Sequence, residues 1–260
     1  MMKLSYAVYA GTVDDIGAKE DWSITEKLMK DAGYQMKRIE SKHDSHDVDA
    51  MIVWDDDNVL LVFRGTEPAN WKDWATDAQF HKSRFCIGKA HEGFAESVEL
   101  IWCDLMACLE KVYLGSKRSL FLTGHSLGAG MSQAAASLLE FKEGLHPKAI
   151  YHFGSPRALN VEGANLYNQR LGAVTYRVVN NNDLVCNIPL EKMGYSHVGQ
   201  FKYITADGKL LDDPSYWRQL LDSSWGCIKA LSDLNFIDAV IDHLPQSYTK
   251  QLEMLHNCSQ

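Results

Sequence analysis

The sequence predicts an α/β fold, a mostly parallel central sheet with helices on both faces. Short apolar runs of strand length alternate with segments whose apolar residues recur at helical spacing. Strands that alternate with helices of about a dozen residues form parallel pairs, because each connection must cross a face of the sheet. The 260 residues contain no internal repeat and only six scattered prolines. We therefore predict one domain over residues 1–260.

The elements follow each other along the chain in a regular order. Apolar runs at 48–54 and 58–64 are separated by three aspartates, which predicts a hairpin. A helical stripe covers 92–114, and a strand at 119–123 leads into a helix of small residues from 127 to about 142. The same patterns predict strands at 148–153, 174–179 and 198–204, a helix near 159–171, and a mostly helical stretch over 227–256.

Charge and composition exclude several classes of function. The 34 acidic and 26 basic residues give a formal charge of −8, and the basic residues form no run. Nucleic-acid binding needs clustered Lys and Arg, so we expect no nucleic-acid partner. The six cysteines form no CxxC pair, which argues against a zinc ribbon or a thioredoxin-like centre.

The N-terminal residues do not resemble a signal peptide. Their short apolar stretch is interrupted by Ser5, Tyr6 and Tyr9 and is followed by two aspartates. No segment reaches about 18 uncharged apolar residues, so we expect no transmembrane segment. We therefore predict a cytoplasmic protein by default, with leaderless secretion as the alternative.

The most informative segment is the glycine-flanked serine in Gly124-His125-Ser126-Leu127-Gly128. It stands between an apolar strand and a helix, the context in which such a serine occupies a tight turn that exposes its hydroxyl. The glycines allow the close approach of neighbouring backbone that this turn requires. Ser126 is therefore our candidate nucleophile, and the alternative is a glycine-rich structural turn.

A serine nucleophile needs a base, and the base needs a carboxylate that orients it. Asp183 follows the strand 174–179 directly and so lies at the correct edge of the sheet. The alternative role for Asp183 is a turn or helix cap. The rival carboxylates Asp212, Asp213 and Asp222 follow no sheet strand so directly.

Three histidines follow Asp183 in the sequence. His197 opens the strand 198–204 before the last strand is complete, and His256 lies in the C-terminal residues, which often fray. His243 lies beyond the last strand, where a loop returns it to the serine, and it is our candidate base. Its alternative role is structural.

An oxyanion hole needs two hydrogen-bond donors aimed at the developing negative charge. The backbone N–H of Leu127, directly after the candidate nucleophile, supplies one. Thr66 follows the strand 58–64 in the segment Arg64-Gly65-Thr66-Glu67 and offers both its N–H and its hydroxyl. By itself, that segment is also an ordinary strand-ending turn.

Eight short motifs in order resemble the class 3 lipases, the α/β-hydrolase group that includes fungal triacylglycerol lipases. The motifs are VFRGTE (62–67), NWKDWATD (70–77), AHEGF (90–94), LTGHSLGAG (122–130), FGSPR (153–157), RVVNNNDLV (177–185), GYSHVGQ (194–200) and DHLPQSY (242–248). The resemblance implies that Ser126, Asp183 and His243 form the catalytic triad, with Thr66 and Leu127 at the oxyanion positions. His197 matches a histidine that is not the base. The resemblance implies no metal and no cofactor.

The resemblance also implies a mobile lid within residues 67–90. Trp71, Trp74, Phe80 and Phe85 would then form the apolar face of this lid over a substrate pocket. The alternative is that these aromatic residues belong to the core. Two departures from the family pattern stand out. Pro245 and Gln246 are inserted after His243-Leu244, which we expect to shift the following loop. The fungal members are secreted and disulfide-bonded, whereas the N-terminal residues here do not resemble a leader.

These observations together predict a lipase, a serine-dependent carboxylic ester hydrolase that forms an acyl-enzyme from lipid esters such as acylglycerols. The implied partners are the ester substrate and transiently a lipid interface. Three alternatives stay open: a phospholipase A1, including a leaderless antibacterial toxin; a feruloyl or other small-ester esterase; and a non-catalytic lipid-binding module.

Overall fold

The computed structural model describes residues 1–7, 22–43, 46–65, 80–212 and 241–258, and its centre is an eight-stranded sheet. A second sheet has four short strands. In chain order the strands are β1 Gln35–His43, β2 His46–Trp54, β3 Asn58–Phe63, β4 Lys82–Arg84, β5 Lys89–His91, β6 Ser119–His125, β7 Ala149–Phe153, β8 Leu159–Asn160, β9 Thr175–Asn180, β10 Tyr195–Ser196, β11 Gln200–Ile204 and β12 Leu210–Asp212.

The central sheet has the order β1-β2-β3-β6-β7-β9-β11-β12. Its five middle strands, from β3 to β11, are all parallel, whereas β1 and β2 at one edge and β12 at the other run antiparallel to their neighbours. The mostly parallel sheet confirms the predicted fold class. The hairpin predicted from 48–54 and 58–64 is the β2–β3 pair, in which Ala50 lies opposite Phe63.

Helices cover both faces of this sheet. They are α1 Met2–Ala7, α2 Trp22–Asp31, α3 Glu92–Val112, α4 Leu127–Phe141, α5 Val161–Leu171 and α6 Pro245–Cys258, with 3₁₀ turns at Gly172–Val174, Leu184–Asn187 and Glu191–Met193. Helix α6 accounts for the end of the helical stretch predicted over 227–256, and residues 213–240 lie outside the described part of the chain.

Successive residues of one strand belong to different cores, as the two-residue period of a strand requires. In β3, Val59, Leu61 and Phe63 pack with α3, α4 and α5 in the largest core cluster. Leu60 and Val62 point to the opposite face and pack with α2. Because both faces are buried, β3 is a continuous apolar run rather than an alternating one.

Helix α4 lies very close to the sheet because its first turns are built from small residues. A Cβ atom at Gly128 would overlap the carbonyl group of Phe63 at the end of β3. A Cβ at Gly130 would lie 2.6 Å from the ring of Phe94 on α3. These two glycines set the position of the N-terminal end of α4, and therefore of the turn between β6 and α4.

We expect Leu109→Ala to lower the free energy of unfolding by about 2–5 kcal/mol, because it leaves a cavity in the main core. Leu109 is fully buried on α3. Leu100→Ala on the same helix is the matched control, since Leu100 is 40 % exposed and its change should stay within about 0.5 kcal/mol. An equal loss of unfolding free energy in the two variants, measured in urea, would contradict this description of the core.

Candidate active site

The candidate nucleophile lies on a strained turn. Strand β6 ends at His125 and α4 begins at Leu127, so Ser126 alone connects them. Its backbone has φ 58° and ψ −133°, an unfavourable region for a residue with a side chain. A Cβ at Gly124 would overlap the backbone of Gly128, which explains the two flanking glycines. The N–H of Ser126 donates to the carbonyl of Phe153 at the end of β7, 3.0 Å away, and so anchors the turn to the sheet.

The three residues predicted as a triad come together in the folded chain. His243 Nδ1–H donates to both carboxylate oxygens of Asp183, each 2.9 Å away. The Oγ–H of Ser126 donates to His243 Nε2, also at 2.9 Å. Because a carboxylate only accepts, the first bond sets the tautomer that leaves Nε2 free to accept. Asp183 and His243 are separated by 60 residues, and all three side chains are buried.

Asp183 is a fully buried carboxylate with every oxygen occupied. The phenol of Tyr248 donates to Oδ2 at 2.5 Å, and the N–H of Val185 donates to Oδ1 at 3.0 Å. Burial alone would raise the pKa of Asp183, but the charge of His243 and the hydrogen bonds from His243 and Tyr248 outweigh it and hold that pKa below its usual range. Asp183 also caps the 3₁₀ turn Leu184–Asn187, the second role considered for it, while its carboxylate bonds the candidate base.

A second set of hydrogen bonds joins the loop of the base to the loop of the acid. The side chain of Asp242, directly before His243, accepts from the Nδ2 of Asn181 at 3.0 Å and the N–H of Asn182 at 3.1 Å. Its carbonyl accepts from the Nδ2 of Asn180 at 2.9 Å. We call these three contacts the Asp242 clamp. They hold His243 against the end of β9, which leads to Asp183.

Residues that the sequence argument did not select surround the candidate base. His125 Nε2–H donates to the carbonyl of His243 at 2.7 Å, and the two rings lie 4.7 Å apart. Neighbouring residues of a strand point to opposite sides, so a residue next to the nucleophile is expected to point away from it. His125 is the last residue of β6, and its ring nevertheless contacts the loop that carries His243. Tyr248, Asp242 and the buried thiol of Cys186 were also missed. The one available signal for Tyr248 was its place at the end of the motif DHLPQSY (242–248), in a serine-tyrosine pair that follows the candidate base.

The remaining predicted site residues are only partly described. Leu127 is the first residue of the 15-residue helix α4, so its N–H lies at the positive end of the helix dipole. Phe85 is 9 % exposed and packs in the main core, whereas Phe80 is half-buried with its ring edge toward His91. Thr66, Trp71 and Trp74 lie outside the described residues, as does most of the predicted lid segment 67–90. His197 lies between β10 and β11, whereas the histidine that bonds Ser126 is His243.

The described part of the chain contains no candidate metal site and no candidate membrane span. None of its His, Cys, Asp and Glu residues form a group of three or more that could hold a metal ion. None of its helices is both long and apolar enough to cross a membrane.

We expect stability to fall below about pH 6.5, because buried histidines stay neutral in the folded chain. Burial lowers the pKa of His152 to about 3, and the charge of Arg177 adds to the effect. In the unfolded chain the same histidine binds a proton below about pH 6.5. Each such histidine therefore lowers the free energy of unfolding by about 1.4 kcal/mol for every pH unit from there toward pH 3. The free energy of unfolding, measured in urea between pH 7 and pH 4, should fall less steeply with decreasing pH in His152→Gln than in wild type. Leu100→Ala, at an exposed residue without a titratable group, is the control and should keep the wild-type dependence of the unfolding free energy on pH. The same pH dependence in all three proteins would refute this assignment.

The sequence is similar to secreted fungal lipases. A secreted mono- and diacylglycerol lipase A of Penicillium cyclopium is 33 % identical over 152 residues, 57 % of this chain and 48 % of its own length. A secreted mono- and diacylglycerol lipase 1 of Fusarium solani is 31 % identical over 158 residues, 59 % of this chain and 45 % of its own length. The chain thus spans about half of the length of the curated relatives it matches.

The predicted cytoplasmic location is wrong by this comparison, because both relatives are named as secreted proteins. The prediction depended only on the pattern of the N-terminal residues. A targeting signal is a short segment that the folded domain does not need, so the residues of the domain itself do not indicate the compartment in which it works.

Solved structures and the family comparison agree with these relatives. The crystal structure of a mono- and diacylglycerol lipase from Aspergillus oryzae superposes with a TM-score of 0.72 at 25 % identity, covering 93 % of this chain and 92 % of the other. Lipase II from Rhizopus niveus gives a TM-score of 0.62 at 26 % identity, covering 79 % of this chain and 80 % of the other. Residues 60–193, about half of the sequence, match the family model for lipase (class 3). The chain therefore belongs to the class 3 lipase family.

Proposed function

We propose that this protein is a carboxylic ester hydrolase that cleaves acylglycerols through an acyl-enzyme on Ser126. The continuous hydrogen-bonded path from Ser126 Oγ through His243 to Asp183 is the observation that carries the proposal. A serine hydroxyl is a weak nucleophile by itself, and this path supplies both the base that it needs and the carboxylate that orients the base.

The first half of the reaction forms the acyl-enzyme. Ser126 Oγ attacks the ester carbonyl carbon while His243 Nε2 takes the hydroxyl proton. The carbonyl oxygen becomes negatively charged, and the N–H of Leu127 at the start of α4 donates to it, with Thr66 as the proposed second donor. His243 then protonates the departing glycerol oxygen, so the carbon–oxygen bond breaks and an alcohol leaves.

The second half of the reaction restores the enzyme. Water enters the position of the alcohol, and His243 Nε2 takes one of its protons as the hydroxide attacks the acyl carbon. The intermediate collapses, His243 returns the proton to Ser126 Oγ, and a fatty acid is released. Asp183 stays ionised throughout and stabilises the imidazolium, a role that suits its lowered pKa.

Acylglycerols are the proposed substrates because the named relatives act on them. The Penicillium, Fusarium and Aspergillus proteins are all named mono- and diacylglycerol lipases. The strain at Ser126 weighs against a non-catalytic module, because unfavourable backbone conformations usually persist where a function depends on them. The lid within 67–90 remains part of the proposal.

We expect Ser126→Ala to abolish hydrolysis of p-nitrophenyl esters and of monoacylglycerol while leaving the circular dichroism spectrum unchanged. Removing the nucleophile removes the acyl-enzyme route, which typically lowers kcat by about 10⁶-fold. Ser137→Ala is the matched control, since Ser137 is a buried serine on α4, the helix that follows Ser126, and its hydroxyl donates to the carbonyl of Gln133. Full activity in Ser126→Ala would refute the mechanism.

The same assay run from acetate to palmitate, below and above the solubility limit, separates the substrate classes. A Ser126-dependent rate that rises for long chains once aggregates form supports a lidded lipase. A rate confined to short dissolved esters would instead indicate a small-ester esterase and would overturn the lid proposal.

We expect Asp183→Asn to lower kcat by about 10⁴-fold with little change in KM, because an amide favours the wrong tautomer of His243. Steady-state kinetics and the rate of labelling by a fluorophosphonate measure this loss. Asp207→Asn is the control, since Asp207 is exposed and pairs with Lys209 in a surface turn. A loss below about tenfold in Asp183→Asn would show that the base is oriented by another group.

A further inference from the structure

The end of β7 is hydrogen-bonded both to the turn that carries the candidate nucleophile and to the strand that leads to the candidate acid. Phe153, the last residue of β7, accepts the N–H of Ser126 at 3.0 Å. Gly154 follows, and its own N–H donates to the carbonyl of Val178 on β9 at 3.1 Å. The backbone at Gly154 is therefore held from both sides, and it adopts a left-handed conformation with φ +57°.

The empty side of Gly154 faces the Asp183–His243 pair. A Cβ atom built at Gly154 would lie 2.7 Å from Asp183 Oδ2 and 3.0 Å from both Cε1 and Nδ1 of His243. Carbon atoms do not approach that closely in folded proteins without a shift of one partner. The backbone of Gly154 has little freedom to give way, because it is part of the sheet hydrogen bonding.

The side chains of the pair have no spare freedom either. Oδ2 of Asp183 is held by the phenol of Tyr248 at 2.5 Å, and Oδ1 by the N–H of Val185 at 3.0 Å. His243 is bonded at both ring nitrogens, and its carbonyl is held by His125. Any displacement forced from Gly154 would therefore lengthen a hydrogen bond within the pair or between His243 and Ser126.

We propose that Gly154 is a positioning residue, whose missing side chain keeps Asp183 and His243 at hydrogen-bonding distance from each other and from Ser126. This inference rests on the proposed function. It differs from a general need for glycine, because other glycines share the left-handed backbone without contacting a functional group. Gly144, with φ +69°, is one of these, since a Cβ added there would have nothing within 4 Å.

We expect Gly154→Ala to lower kcat about 100-fold while KM changes less than about threefold, because a displacement of about 1 Å in a catalytic group has that effect. The rate of fluorophosphonate labelling should fall in parallel. Gly144→Ala is the matched control, since it introduces the same methyl group at a similarly left-handed backbone position and should retain full turnover. Equal kcat values for the two variants would overturn the proposal.

A thermal unfolding cycle tests the contact without using activity. Gly154→Ala should lower Tm more in the wild-type background than in Asp183→Ala, where the atom nearest to the new methyl group is absent. If Gly154→Ala alone fails to fold, recovery of folding in the double variant supports the proposal. An equal loss of Tm in wild type and in Asp183→Ala would show that the glycine is needed only because its backbone is left-handed, and would overturn the proposal.

The two proposals fail in different ways. Turnover retained in Ser126→Ala, or no ester hydrolysis by wild type, would refute the proposed function whatever the unfolding cycle gives. Normal turnover in Gly154→Ala, together with a loss in Ser126→Ala, would refute only the role of Gly154.

Discussion

The hydrogen bond between Asp183 and His243 is the constraint on which the rest of the site depends. It joins two fully or nearly buried groups that are 60 residues apart in the chain. A buried carboxylate is tolerated only when its oxygens are satisfied, and here His243, Tyr248 and the N–H of Val185 satisfy them. The Asp242 clamp adds hydrogen bonds between the loop that carries His243 and the loop that carries Asp183. Because Asp183 is held from several sides, the ring of His243 has one orientation, and that orientation directs Nε2 toward Ser126.

The opposite end of the site depends on close packing. Helix α4 approaches β3 so closely that Gly128 has no room for a side chain, and this approach turns Ser126 into its strained conformation. The strain persists because the surrounding sheet bonds and core contacts over-determine the backbone. Loops alone would not hold such a turn. The parallel sheet thus serves the site by bringing the ends of β6, β7 and β9 to one edge, where the serine, the proposed positioning glycine and the acid meet.

Much of this arrangement was predictable from local sequence. Ser126 was identifiable because its glycines and its position between strand and helix are local features, and Asp183 because it directly follows a strand. His243 was selected by elimination among three histidines, and the family resemblance pointed to the same residue. Pro245, which with Gln246 is expected to shift the loop after the candidate base, is the first residue of α6. Proline is well suited to that position, and the helix brings Tyr248 onto Asp183 one turn later.

The sequence by itself determined the fold class, the order of its strands and helices, and the turn that carries Ser126, because each depends on residues close together in the chain. Only the tertiary structure decided which histidine meets the serine, that Tyr248, Asp242 and His125 support the acid and the base, and that Gly154 has no room for a side chain. Those contacts join residues between about 30 and 120 positions apart, so they exist only after the sheet has assembled and both of its faces are covered.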